Sequence, residues 1–302
     1  MSAQNSAHLF RGTGVALVTP FKSDLTVDFE ALRRVVDHVI NNGVQYVVAL
    51  GTTAETPTLD SNEKKEVLTS IINTVAGRVP VVCGMGGNNT YEIIQQLKEY
   101  DLSKVAGLLS VAPYYNKPTQ EGMYQHFKAI AEATDKPIIL YNVPGRTSSN
   151  LLPQTALKLA NNFPNIVAIK EASGNLAQCM ELVQHAPAHF AVLSGDDNLV
   201  VPQIAIGMEG VISVAANCFT RDFTDMVNAS LEGDFATARK LHYQLLPGID
   251  LLFAEGNPAG VKYVLQELGL IEGNIRLPLV PVSETTALKI KAFTTNHQGT
   301  PA

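Results

Sequence analysis

Eight short apolar runs recur along this chain and alternate with longer stretches of helical periodicity. Their near-continuous hydrophobicity is typical of strands that are buried on both faces, in a parallel sheet covered by helices. The runs occupy residues 15–21, 46–51, 80–85, 107–113, 137–142, 166–173, 190–197 and 210–217. The alternation predicts an α/β fold, and eight such units are the number that closes a (β/α)8 TIM barrel.

Helix boundaries between the runs support this prediction. Residues 60–77 open with a capping-box pair, Asp60 and Glu63, and end at Gly77. Residues 28–43 likewise end at a glycine, Gly43. We predict a barrel over residues 1–232 and a C-terminal helical extension over residues 233–302. Because no linker or low-complexity tract separates the two, the extension is expected to pack on the barrel as one structural unit.

Composition and charge exclude several classes of function. The 302-residue chain has a formal net charge of −6 and no basic stretch that would track phosphates, so no nucleic-acid partner is expected. No apolar run approaches the roughly 20 residues that a membrane-spanning helix needs, and no signal-peptide pattern is present. Three widely spaced cysteines, Cys83, Cys179 and Cys218, are typical of reduced thiols. We therefore expect a cytoplasmic protein without membrane association.

Polar residues recur where the predicted strands end. In a (β/α)8 barrel, the loops after the carboxyl ends of the strands build the active site. Those ends carry Gly51, Thr52, Thr53, Tyr114, Tyr115, Asn116, Tyr141, Asn142, Lys170, Gly195, Asp196, Asp197 and Asn217. The seven histidines lie elsewhere, so metal-assisted hydrolysis and Ser or Cys triads are poorly supported. We expect neither a metal nor a cofactor.

Lys170 is the most unusual of these residues because it follows a buried apolar run. A lysine at a strand end is usually a solvated rim charge, which here would pair with Glu171. Strand alternation opposes that interpretation: if Ile169 faces the helices, Lys170 points into the barrel mouth. Removal from water lowers the pKa of an amine, so that a useful fraction is neutral and nucleophilic. Such a lysine forms an imine with a carbonyl substrate.

Imine chemistry makes two further demands on the site. The protonated imine withdraws electrons and yields an enamine, so a group that carries protons must lie close by. Tyr141 ends the neighbouring strand and suits that role, although a lone tyrosine there is more often a core residue. A substrate carboxylate must also be held, either by N–H groups around Thr52 and Thr53 or by the guanidinium of Arg146.

Several segments resemble a known family. They read "GTTAETPTL", "VAPYYNKPTQEGMYQHFKAIAEAT", "ILYNVPGRT", "IVAIKEASGNL", "VLSGDD" and "GVISVAAN". They are similar to the dihydrodipicolinate synthase family of pyruvate-dependent class I aldolases, and the resemblance covers nearly the whole chain. It implies a condensation of pyruvate with L-aspartate-4-semialdehyde to 4-hydroxy-tetrahydrodipicolinate, in the biosynthesis of diaminopimelate and lysine.

The resemblance also implies a role for individual residues. Lys170 matches the imine-forming lysine, and Tyr141 matches the proton donor and acceptor. The matching relay continues through Thr53, or Thr52 beside it, to Tyr115. Since that last phenol crosses a subunit contact in the family, the resemblance implies a homo-oligomer, either a dimer or a dimer of dimers. The substrate-binding positions correspond to Thr53, Gly195 and Ile212 for pyruvate and to Arg146 for the semialdehyde.

Three positions depart from the family pattern. Ala54 replaces the glycine of the commonest motif, GTTGE, and would cost roughly 1 kcal/mol if it required a positive φ. The effector pocket of lysine-sensitive members corresponds to Thr56, Pro57, Ser61, Lys64, Asn88, Glu92 and Tyr114. Sensitive enzymes typically carry histidine at one or both of the positions of Ser61 and Lys64. The resemblance therefore implies that feedback inhibition by lysine is weak or absent.

Three alternatives stay open at the level of sequence. A sibling aldolase would cleave sialic acid or a 2-keto-3-deoxy sugar acid through the same imine, but Arg146 suits a short aldehyde with its own carboxylate. A pyridoxal-phosphate barrel enzyme would show a yellow absorbing species. A catalytically silent scaffold would be expected to lose at least the nucleophile, whereas Lys170 is present.

Overall fold

Eight parallel strands close into a barrel in which each strand pairs with its neighbours in chain order. The structure, a computed structural model, describes residues 8–298. The strands are β1 Gly12–Ala16, β2 Tyr46–Ala49, β3 Val81–Gly84, β4 Gly107–Val111, β5 Ile138–Asn142, β6 Ile166–Glu171, β7 Ala191–Ser194 and β8 Gly210–Ser213. Pairing of β8 with β1 completes the ring and confirms the predicted (β/α)8 barrel.

Helices follow the strands around the outside of the barrel. Those up to the last strand are α1 Phe29–Asn41, α2 Ser61–Val75, α3 Thr90–Glu99, α4 Gln120–Glu132, α5 Pro144–Thr147, α6 Pro153–Asn162, α7 Leu176–His185 and α8 Val200–Ala205. Those after it are α9 Thr220–Glu232, α10 Phe235–Phe253, α11 Ala259–Glu267 and α12 Glu284–Gln298. None of the helices within residues 8–298 is long and apolar enough to cross a membrane.

Local sequence signals set the start of α2 as predicted. The Asp60 side chain accepts hydrogen bonds from the backbone N–H groups of Asn62 and Glu63. The Glu63 side chain in turn accepts from the backbone N–H of Asp60 at 3.0 Å, which completes the capping box. Each bond satisfies an N–H group that the first helical turn leaves without a partner.

The position of the first strand differs from the prediction. The apolar run at 15–21 predicts a strand, whereas β1 spans Gly12–Ala16 and contains only the first two residues of the run. Two glycines hide this strand from a hydrophobicity search. Gly14 must lack a side chain, because a Cβ there would lie 2.2 Å from the ring of Tyr46, which fills the barrel interior.

Buried side chains form two layers. An inner layer fills the barrel and includes Tyr46, Val48, Leu109 and Ile139. Phe10 closes the amino end of this layer, with its ring edge-on to Tyr46 at a centroid distance of 5.6 Å. A larger outer layer lies between the strands and the surrounding helices. Alternation along each strand assigns successive side chains to the two layers.

The helices that follow the barrel pack against it. Helix α9 ends at Glu232, and Gly233 then takes a left-handed conformation with φ +84°. Beyond that point the ring of Phe293 packs edge-on against Phe219 at 5.5 Å. The imidazole of His297 lies 2.8 Å from the carboxylate of Asp222. The extension thereby buries apolar surface of the barrel-end helix α9 and of the turn before it.

Candidate active site

Lys170 lies at the carboxyl end of β6 with its side chain inside the barrel. Ile169 before it packs in the outer layer, which confirms the predicted alternation. Lys170 is 5% exposed, and its Nζ lies 4.4 Å from the centroid of the Tyr141 ring. The register places the Cα atoms of these two residues opposite each other on β5 and β6. An amine over the face of a phenol ring is a favourable contact that leaves its N–H groups free for a substrate.

Glu171 does not pair with this amine. The side chain points to the helix side of β6, where it is fully buried. Its carboxylate accepts hydrogen bonds from Asn142 Nδ2, from Gln178 Nε2 and from the backbone N–H of Ser173. The interpretation of Lys170 as a rim charge paired to Glu171 is therefore wrong.

A cavity of about 550 Å³ opens at the carboxyl rim beside Tyr141. Its walls come from the loops after β2, β3, β4 and β5 and from a segment near residue 278. Arg146 lies on the one-turn helix α5, directly after β5, and is exposed at this cavity. The phenol and the guanidinium therefore share one opening, as the sequence predicts.

The two threonines after β2 point in different directions. Both belong to the 3-10 turn Thr52–Ala54, but Thr52 is exposed and lines the cavity. Thr53 is 1% exposed, and its hydroxyl accepts a hydrogen bond from Asn257 Nδ2 at 3.0 Å. Of the two hydroxyls that the sequence offers for a relay, that of Thr52 shares the cavity with Tyr141.

Ala54 does not have the positive φ that would make alanine unfavourable at this position of the motif. The residue with a positive φ is Glu55, at +53°, so alanine at position 54 carries no left-handed penalty. The Glu55 carboxylate forms a fully buried ion pair with Lys262 and accepts the backbone N–H of Arg276. Burial lowers the pKa of Lys262 to about 8, and the nearby Glu55 opposes that shift. The strained residue is thus held by partners from the C-terminal extension.

Gly195 packs directly against the lysine side chain. A Cβ at this position would lie 2.9 Å from Cε of Lys170, so a larger residue would displace the amine. Burial raises the pKa of the next residue, Asp196, to about 6. Burial also raises the pKa of Asp197, whose carboxylate accepts the backbone N–H of Ala215 at 2.8 Å. That bond joins the end of β7 to the turn after β8.

Ile212 lies inside the barrel. It belongs to the inner layer that also contains Tyr141, and it is 1% exposed. The structure therefore brings Lys170, Tyr141, Gly195 and Ile212 to the barrel interior or its carboxyl rim.

Tyr115 is the one predicted catalytic residue that lies apart from the others. It has a φ of +72°, is 87% exposed and does not line the cavity. Its neighbour Tyr114 does line the cavity. Within a single chain, the predicted relay through Tyr141, a threonine and Tyr115 is not complete.

The residues of the predicted effector pocket line the same cavity as Tyr141, with one exception. Asn88 Nδ2 donates to the backbone oxygen of Tyr114 at 3.2 Å, which joins the loops after β3 and β4. Ser61 is the exception and does not line this cavity. The lining residues from the predicted set are Thr56, Pro57, Lys64, Asn88, Glu92 and Tyr114.

Three residues of the C-terminal extension bind the loop after β2, and no local sequence pattern indicates these contacts. Asn257, Lys262 and Arg276 hold Thr53 and Glu55, although more than 200 positions separate Asn257 from Thr53. The segment "EGNPAG" around Asn257 signals a turn but says nothing about the residue it contacts.

Within residues 8–298, no group of three or more His, Cys, Asp and Glu side chains is arranged to hold a metal ion. The three cysteines are free and buried. Burial raises the pKa of Cys83 to about 12 and that of Cys179 to about 11, which keeps both thiols protonated at neutral pH.

A buried lysine amine against a phenol, at the carboxyl rim of a (β/α)8 barrel, defines a lyase of the class I aldolase type. The chain belongs to the dihydrodipicolinate synthetase family, whose model matches residues 9–297.

Individual relatives agree over nearly the full length. A 4-hydroxy-tetrahydrodipicolinate synthase of Flavobacterium psychrophilum is 52% identical over 285 residues, which are 94% of this chain and 97% of the relative. A dihydrodipicolinate synthase structure from Aquifex aeolicus superposes with a TM-score of 0.93 at 42% identity, over 96% of this chain and 98% of that one. A structure described as the first monomeric dihydrodipicolinate synthase variant gives a TM-score of 0.94 at 39% identity, over 97% and 98%.

Proposed function

We propose that this chain condenses pyruvate with L-aspartate-4-semialdehyde to give 4-hydroxy-tetrahydrodipicolinate, in the biosynthesis of diaminopimelate and lysine. The observation that best supports this activity is the Lys170 amine, 5% exposed and 4.4 Å from the Tyr141 ring. Arg146 at the same rim supplies a fixed positive charge for a substrate carboxylate. The name of the relative from Flavobacterium psychrophilum supports the same reaction.

The proposed reaction begins with the Lys170 amine and the ketone carbon of pyruvate. A C=N bond forms, and the ketone oxygen leaves as water. Loss of a proton from the pyruvate methyl group then gives an enamine, whose terminal carbon forms the new C–C bond with the aldehyde carbon. The aldehyde oxygen gains a proton in the same step. The amino group of the semialdehyde then adds to the imine carbon and displaces the Lys170 amine, which closes the ring of the product and restores the free lysine.

Tyr141 is the proposed carrier of these protons, because its ring contacts the Lys170 amine and it borders the cavity. The hydroxyl of Thr52 or Thr53 and the phenol of Tyr115 complete the proposed relay. Thr53, Gly195 and Ile212 form the proposed pyruvate side of the site, and Arg146 holds the semialdehyde carboxylate.

Reductive trapping tests the proposed imine. Borohydride added together with pyruvate is expected to inactivate the protein and to leave one reduced pyruvate unit on the peptide that contains Lys170. A label at Lys136 or Lys158 instead would contradict the assignment. Product formation from pyruvate and semialdehyde, compared with retro-aldol cleavage of 2-keto-3-deoxy sugar acids, distinguishes this synthase from a sibling aldolase.

We propose that two or four copies assemble, as a dimer or a dimer of dimers. Tyr115 supports this proposal, because a phenol that is 87% exposed on a strained backbone gains a partner only from another molecule. One structural relative is a monomeric variant, so the family fold tolerates other states. Analytical ultracentrifugation across a concentration series measures the assembly, and a Tyr115→Ala variant that keeps full activity would argue against a catalytic contact.

The effector residues form a separate proposal. Lys64, Asn88, Glu92 and Tyr114 line the same cavity as Tyr141, so a molecule bound among them would lie close to the catalytic phenol. The position of Lys64 supports weak or absent inhibition by lysine, because its ammonium would face an effector with two ammonium groups.

We propose a cytoplasmic location. Three buried free cysteines support it, since thiols persist where the compartment is reducing. Fractionation of cells that express the full chain tests this location.

A further inference from the structure

A buried polar pair lies directly behind the candidate catalytic pair. Asn142 follows Tyr141 on β5, and Glu171 follows Lys170 on β6. Both are 0% exposed and face the helices, on the opposite side of the two strands from the amine and the phenol. Asn142 Nδ2 donates to the two carboxylate oxygens of Glu171 at 3.0 and 3.3 Å.

The Glu171 carboxylate has its acceptor capacity filled by N–H donors. Besides Asn142, Gln178 Nε2 donates to Oε2 at 3.0 Å, and the backbone N–H of Ser173 donates to Oε1 at 2.8 Å. Gln178 lies on α7 and Ser173 lies in the loop after β6. The carboxylate therefore joins strand, loop and helix at the carboxyl end of β6.

Asn142 is held just as firmly from the other side. Its Oδ1 accepts the backbone N–H of Leu151 at 2.9 Å, which fixes the orientation of the amide. Its Nδ2 also donates to Asn150 Oδ1 at 2.8 Å. Both partners precede α6, so the amide couples β5 to the segment that leads into that helix.

The backbone pairing of β5 with β6 is irregular, so it does not by itself fix which residues face each other at the carboxyl end. An irregularity interrupts the pairing: Ile138 pairs with Ile166, but Ile139 pairs with Ala168. After this shift, Tyr141 pairs with Lys170 and Asn142 with Glu171. A slip by one residue would turn every side chain of a strand to the other face. The helix-side hydrogen bonds are made in this register, which is also the one that brings the amine over the phenol.

We propose that Asn142 and Glu171 are positioning residues, whose hydrogen bonds on the helix side fix the separation and orientation of Lys170 and Tyr141 on the barrel side. Neither residue touches the substrate. The inference rests on the proposed imine chemistry, because the rate of imine formation is its readout. Displacement of a reacting group by about 1 Å costs up to about 10²-fold in rate, so a small shift of either strand is enough to be measured.

The first experiment replaces the carboxylate by an amide of the same size. In the Glu171→Gln variant, an NH₂ group faces the N–H donors of Asn142, Gln178 or Ser173, and at least one bond is lost. The rate constant for pyruvate imine formation, per folded molecule, is expected to fall by about 10- to 100-fold. Stopped-flow kinetics without semialdehyde measure this rate, with the folded fraction determined by circular dichroism.

A double variant tests the contact and not merely the two residues. Asn142→Asp combined with Glu171→Gln exchanges the carboxylate and the amide across the same hydrogen bond. The rate is expected to recover to within about threefold of the wild type, whereas each single variant stays slow. Single variants with a lower Tm and an unchanged rate per folded molecule would overturn the proposal, since the pair would then serve only the stability of the fold.

Asn165 offers a matched control at the opposite end of β6. It precedes the strand, and its Nδ2 donates to the backbone oxygens of Ala131 and Thr134 at 2.9 and 2.8 Å. Asn165→Ala is expected to lower the Tm while the rate of imine formation stays at the wild-type value. A wild-type protein that forms no imine with pyruvate would defeat the proposed function itself. Imine formation at equal rates in all variants would defeat only the positioning role.

Discussion

The polar residues on the two faces of strands β5 and β6 differ in their hydrogen bonding. On the helix side, Asn142 and Glu171 have their hydrogen-bonding groups engaged by backbone and side-chain partners. On the barrel side, the Lys170 amine rests on the Tyr141 ring, and within residues 8–298 neither Lys170 Nζ nor the Tyr141 hydroxyl makes a hydrogen bond. Saturated polar groups fix a geometry, while unsatisfied ones remain available to a substrate. Alternation along these two strands therefore places the proposed positioning residues on one face and the proposed reacting residues on the other.

Removal of the amine should have the largest effect on the barrel side. In Lys170→Ala, pyruvate has no nucleophile, so kcat is expected to fall by at least about 10³-fold, on the scale of lost catalytic nucleophiles. Steady-state assays of product formation and mass spectrometry after borohydride treatment measure the loss. A variant that still traps pyruvate covalently would contradict the assignment.

Removal of one oxygen from the phenol should come next. Tyr141→Phe keeps the ring beside the amine, so folding should persist while kcat falls by about 10²-fold, the scale of general acid–base catalysis. Circular dichroism checks the fold, and initial rates at saturating substrate give kcat. An unchanged kcat would make Tyr141 a packing residue, and the contrast between the two faces would disappear.

Loss of the Arg146 guanidinium should impair the reaction with the semialdehyde far more than imine formation with pyruvate. Arg146→Ala removes a charge-assisted contact worth about 1.5–3 kcal/mol, or about 10- to 150-fold in kcat/KM for the semialdehyde. Imine trapping with pyruvate alone should stay near the wild-type rate, because Arg146 is exposed and lines the cavity, whereas Lys170 is buried and does not line it. Equal damage to both steps would mean that Arg146 organises the whole mouth.

The raised pKa of Asp196 predicts that the free energy of unfolding depends on pH. Burial raises its pKa to about 6 in the folded state from 3.8, so its stabilising effect is complete below about pH 3.8 and is lost as pH rises through 6. Relative to the wild type, Asp196→Asn is expected to gain up to about 3 kcal/mol in the free energy of unfolding between pH 4 and pH 7. Urea titrations at several pH values measure this difference. A difference that stays constant with pH would show that folding does not raise the pKa of Asp196.

Inhibition by lysine is the smallest expected effect. Two unit charges about 4 Å apart repel by up to about 4 kcal/mol at an effective dielectric of about 20, and solvent at this helix start reduces that considerably. An initial-rate titration with L-lysine is expected to show weak or no inhibition, and Lys64→His to gain it. Half-inhibition of the wild type at submillimolar lysine would refute the charge argument.

The sequence predicted the barrel because parallel strands buried on both faces leave a strong apolar signal. The exception, β1, contains Gly12 and Gly14, whose missing side chains make room for others and so carry no such signal. Lys170 and Tyr141 were predictable because each follows an apolar run and alternation fixes the direction of a side chain.

Other parts of the site depend on contacts that no local pattern encodes. Thr52 and Thr53 are adjacent and chemically identical, and their different directions are seen only through the bond of Thr53 with Asn257. Tyr115 is exposed and lies apart from the cavity, so its proposed role needs a neighbour that no local pattern can supply. The sequence offered Glu171 only as a possible partner of Lys170, because its actual partners, Asn142 and Gln178, come from separate elements. Side-chain contacts between residues far apart in the sequence therefore could not be predicted.

The hydrogen bond from Asn257 to Thr53 also has a consequence for the order of events during protein synthesis. Its two ends are 204 residues apart, so at about 5–20 residues per second roughly 10 to 40 s pass between the translation of the threonine and that of its partner. The partners of Glu55, Lys262 and Arg276, arrive later still. A nascent chain on the ribosome can therefore contain all eight strands while the loop after β2 still lacks these partners. The partners that hold this loop are therefore translated only after the sequence of the eight strands is complete.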